Sequence, residues 1–107
     1  MKPTITVVSL GPCDHNHLTL QSLQAIQSSR CLILRTAQHR TAAWLKEEGI
    51  VFEDFDALYD QYEDFDEMHR VMASRLWEMA AQKPVTFAVI DAQTDCAVRA
   101  QIGRAHV

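Results

Sequence analysis

Four short apolar runs, rich in β-branched residues, recur along the chain, and each gives way to a polar segment. Ile5-Thr6-Val7-Val8-Ser9-Leu10 stops at Gly11-Pro12, and Cys31-Leu32-Ile33-Leu34 stops at the polar stretch 35–40. Ile50-Val51-Phe52 runs into acidic residues, and Val85-Thr86-Phe87-Ala88-Val89-Ile90 ends at Asp91. Runs of this length and bounding predict strands near 4–10, 31–35, 50–53 and 85–90. Between them the spacing changes to threes and fours. Thr19 is placed to cap a helix over 19–29 with Leu20, Leu23 and Ile26 on one face. A second helix over 40–48 carries Ala42 and Leu45, with Gly49 at its end. Asp64, with Glu67 at capping-box distance, opens the best-marked helix, 64–82, on a stripe of Phe65, Met68, Met72, Leu76 and Met79. The acidic segment 56–63, holding Tyr59 and Tyr62, reads as a connection.

Strands that are apolar throughout, alternating with amphipathic helices, predict an α/β fold: a mainly parallel sheet with helices on both faces. In such a sheet the ligand crevice lies beyond the carboxyl ends of the strands. The loops after the first and fourth strands, 11–18 and 91–95, are the expected site.

Composition narrows the class. With 107 residues there is room for one small domain, and a hydrophobic share of 48% against 22% charged is that of a globular protein. A net charge of −4 without clustered Lys or Arg argues against nucleic acid as a partner. No apolar run approaches the length needed to cross a bilayer, so no membrane partner is expected. Three widely spaced cysteines, Cys13, Cys31 and Cys96, fit reduced thiols in the cytoplasm better than a disulfide framework.

The opening TITVVSLGPCDHNHLTLQSLQAI resembles the start of the tetrapyrrole (corrin/porphyrin) methylase family, which begins strand, Gly-Pro-Gly-Asp loop, then a Leu-Thr opening the first helix. Gly11-Pro12-Cys13-Asp14 and Leu18-Thr19 occupy those places here. Further on, Leu34-Arg35-Thr36, His39 and the segment FDALYDQYEDFDE resemble the subgroup fused ahead of a MazG-type nucleoside-triphosphate pyrophosphohydrolase. The resemblance implies the N-terminal lobe of a two-lobed domain, usually homodimeric, that binds S-adenosylmethionine between its lobes. Carried over by position, it places Gly11, Pro12, Cys13 and Asp14 of the first loop, and Asp91 and Ala92 after the fourth strand, at the cofactor. Cys13 stands where the family has its second glycine, and Ile90-Asp91-Ala92-Gln93 replaces a Pro-Gly-Asp-Pro type sequence.

Two functions follow from the resemblance. One is a fragment of an S-adenosylmethionine-dependent methylase that acts on a small-molecule methyl acceptor when whole and is inactive as this chain. The other is a non-catalytic regulatory or oligomerisation domain of a MazG-type pyrophosphohydrolase, whose catalytic part lies elsewhere. No Glu-x-x-Glu cluster of the MazG type occurs in these residues, and the catalytic residues of either reading stay unassigned.

The last residues, Ile102-Gly103-Arg104-Ala105-His106-Val107, are encodable by ATC GGA AGA GCA CAC GTC, which matches a widely used sequencing-library adapter. The expectation is an incomplete lobe over 1–100 followed by a non-native tail over 101–107. A lobe so truncated is expected to keep a partly uncovered patch or an unpaired strand edge around Val7-Val8, Leu32-Ile33-Leu34 and Phe87-Ala88-Val89, and so to associate. Cys13, His15 and His17 lie within five residues, but no second cluster completes a metal-ligand set, so no metal is expected.

Overall fold

The computed structural model describes residues 4–11 and 15–91. Four parallel strands form one sheet: β1 (Ile5–Ser9), β2 (Leu32–Leu34), β3 (Glu53–Asp54) and β4 (Val85–Val89), in the order β1-β4-β2-β3. Helices α1 (Leu20–Gln27), α2 (Arg40–Glu47), α3 (Asp56–Gln61) and α4 (Phe65–Ala80) connect them, with a single 3-10 turn at His15–His17.

Alternation along the strands divides the core in two. Ile5, Val7, Ile33, Val85, Phe87 and Val89 point to one face and pack with Phe55, Leu58 and the Met68, Met72 and Leu76 stripe of α4. Val8, Leu10, Leu32, Leu34 and Ala88 point to the other, against Ile26 of α1 and Ala42 and Leu45 of α2. The handedness of crossovers explains the division. From β1 to β2 to β3 the chain advances across the sheet one way, with α1 and α2 on one face; returning to β4 it reverses. A right-handed return puts α3 and α4 on the opposite face.

The helix boundaries follow local chemistry. Thr19 Oγ1 accepts the Ser22 N–H at 3.0 Å and caps α1. Asp64 Oδ1 accepts the Asp66 N–H at 2.9 Å and caps α4. At the end of α2, Gly49 (φ +76°) donates its N–H to Lys46 O, and Ile50 donates to Leu45 O, the paired bonds of a Schellman turn.

Three expectations are corrected. Residues 56–63 are not a mere connection: they contain α3, anchored by Leu58 in the core. The third strand begins at Glu53, not at residue 50, because Ile50 is engaged in closing α2 and Val51 is 88% exposed. The strand residues expected around a partly uncovered patch are buried, Val7, Val8 and Leu34 completely, because the helices cover both faces. On the α4 stripe, Phe65 is exposed while Met68, Met72 and Leu76 are fully buried.

Candidate functional site

The sheet order sets β1 and β4 side by side, with Ser9 level with Val89. Backbone pairing continues past both strands: Leu10 N–H donates to Val89 O at 2.7 Å and Gly11 N–H to Ile90 O at 3.1 Å. Gly11 and Asp91, which the sequence assigned to one site, therefore do end at one place on the carboxyl edge. Pro12, Cys13, Asp14 and Ala92 lie outside the described residues.

Gly11 is committed within its own domain. Its φ of +86° is left-handed, and a Cβ there would meet the His17 Cβ at 2.5 Å. Its N–H is bonded to Ile90 and its carbonyl to His39 Nε2 at 2.8 Å. His39 Nδ1 accepts the Thr41 N–H at 3.1 Å and caps α2, so the ring proton resides on Nε2, the nitrogen that donates to Gly11. His15 stacks on Trp44 with ring centroids 4.8 Å apart and planes 3° from parallel, a second tie from this loop to α2. The space a glycine would open for a cofactor is filled by His17. Gly11, the described residue of the Gly11–Asp14 stretch, does not by itself fit an S-adenosylmethionine cradle.

A polar cluster sits beyond β2 and β3. Half-buried Arg35 donates from Nε to Tyr59 Oη at 3.1 Å and makes a 2.8 Å contact from Nη2 to Nε2 of buried His69 on α4. A guanidinium carries only donors, so the imidazole nitrogen accepts. Ala37 N–H donates to Asp56 Oδ2 at 3.0 Å, and Asp54 Oδ1 accepts the Asp56 N–H at 3.0 Å. Arg35, Thr36 and His39 carried the family resemblance, but nothing in their spacing marked Tyr59 or His69 as partners of Arg35. Among the described residues, no three His, Cys, Asp or Glu side chains converge as metal ligands. No described helix is long and apolar enough to cross a membrane.

No family model matches the chain. The chain is similar to an uncharacterized protein of Bacillus subtilis (strain 168), YabN, at 30% identity over 89 residues, which is 83% of this chain. The aligned stretch spans 18% of that relative's length.

Proposed function

We propose that this chain is a methylase-like α/β lobe that does not itself transfer a methyl group, and that it serves as a regulatory or docking domain for a MazG-type nucleotide pyrophosphohydrolase. The observation that carries the reading is Gly11. The resemblance needs this residue at the cofactor, yet its N–H, its carbonyl and the space beside its Cα are all engaged by Ile90, His39 and His17. Exposed apolar side chains at the same end of the sheet also suit docking: Leu20 opening α1, Phe65 opening α4 and Ile90 after β4.

The second reading, one wall of an S-adenosylmethionine crevice, is favoured by the meeting of the Gly11 and Ile90 segments on one edge. Catalysis there would be positioning of a methyl group against its acceptor, with little demand on acid–base side chains. Calorimetric titration of the purified chain with S-adenosylmethionine separates the two. No saturable heat at millimolar cofactor is the outcome expected of the non-catalytic lobe; micromolar binding would overturn it in favour of the second reading.

A further inference from the structure

Adjacent parallel strands whose outgoing connections leave toward opposite faces open a crevice between them, and ligands of α/β sheets bind at such switch points. Here that place is between β2 and β3. After Leu34 the chain turns to α2 on one face; after Asp54 it turns to α3 and α4 on the other. A cleft of about 490 Å3 opens where they part, lined by Thr36 and Gln38 on the β2 side and by Asp56, Ala57, Tyr59 and Asp60 on the β3 side. This is within the range of small-molecule sites. Two hydrogen bonds cross between the walls, Ala37 N–H to Asp56 Oδ2 and Arg35 Nε to Tyr59 Oη, so the cleft is held open before any ligand arrives.

The lining selects a chemical class. Asp56 and Asp60, one helical turn apart, offer carboxylate acceptors, and no Lys, Arg or His is among the described lining residues. Arg35 reaches the cleft through the Tyr59 hydroxyl and spends its Nη2 on His69. A phosphate or carboxylate would meet like charge, whereas vicinal hydroxyls donate well to carboxylates. The Tyr59 ring, 38% exposed, offers a face for a planar group. The Gln38 amide and Thr36 hydroxyl can serve the edge of such a group.

We propose that the cleft between the Thr36–Gln38 turn and α3 binds an uncharged nucleoside, its ribose diol on Asp56 and Asp60 and its base on the ring of Tyr59. The site is separate from the Gly11–Ile90 edge and does not depend on the reading given to that edge.

The test is an amide chemical-shift titration of the full chain with adenosine, repeated with AMP and with Mg2+ alone. Adenosine should shift Thr36, Ala37, Gln38, Asp56 and Tyr59 saturably and leave Gly11 and Ile90 in place, with AMP binding more weakly. Asp60→Asn, at an exposed position, should weaken adenosine about tenfold, as should Tyr59→Leu. The proposal is overturned if adenosine gives no saturable shift, or shifts only Gly11 and Ile90. Affinity unchanged in both variants, AMP binding as tightly as adenosine, or the same shifts produced by Mg2+ but not by adenosine would each overturn it as well.

Discussion

The carboxyl edge of the sheet ends in two different ways. At β1 and β4 the backbones stay paired beyond the strands, and His17 and His39 close over the turn at Gly11. At β2 and β3 the chains part at once toward opposite faces, and a cleft remains. The same four-stranded frame thus makes one sealed corner and one open one. What separates them is whether the backbones stay paired past the strand ends, more than the residues within the strands. A glycine in the sealed corner serves a turn, while aspartates and a tyrosine in the open corner have free faces to offer.

Substitution should expose this difference, the sealed corner responding most. Gly11→Ala places a side chain on left-handed backbone, which costs about 1–2 kcal/mol, and forces His17 aside, for a total loss of roughly 2–4 kcal/mol. Urea unfolding that shows a loss under about 0.5 kcal/mol would mean the corner is not sealed as described. His39→Ala removes both the α2 cap and the donor to Gly11 and should cost about 1–2 kcal/mol by the same measurement. His39→Asn, which restores a capping side chain without reaching Gly11, should recover part of that loss, sharpening the division between cap and corner. The open corner should respond least: Tyr59→Phe deletes a hydroxyl at an exposed position and should cost roughly 0.5 kcal/mol. A loss there as large as at Gly11 would erase the contrast.

Much of the frame could be read from the residues. The Met68, Met72 and Leu76 spacing marks α4, and the bounded runs at 5–10, 32–34 and 85–90 mark three strands, since burial on both faces demands unbroken apolar sequence. The third strand is harder because Ile50-Val51-Phe52 has strand composition, yet the Schellman turn at Gly49 takes Ile50 and delays pairing until Glu53. Helix α3 is under two turns long and buries Leu58 alone among its residues, too little for a periodic signal. For the site, the meeting of Gly11 with residues 90–91 was legible from the fold class. The bond from His39, 28 residues from Gly11, was not. The switch point was hidden for another reason: it depends on strand order, and local spacing carries no record of which strands are neighbours.

That order has a consequence for how the chain reaches its fold. Among the described residues β4 is last of the strands in sequence, yet it lies between β1 and β2, pairing with both. Until residues 85–89 are available, β1 has no partner strand in this sheet, and β2 has only the two-residue edge of β3. Local contacts cannot assemble the centre by stages, so the entropy of closing an eighty-residue loop, from Ile5 to Val85, must be met before that pairing contributes. During synthesis from the N-terminus, three apolar segments therefore wait for the fourth. The interval before β4 emerges is when this protein is most exposed to wrong pairing and to capture by chaperones.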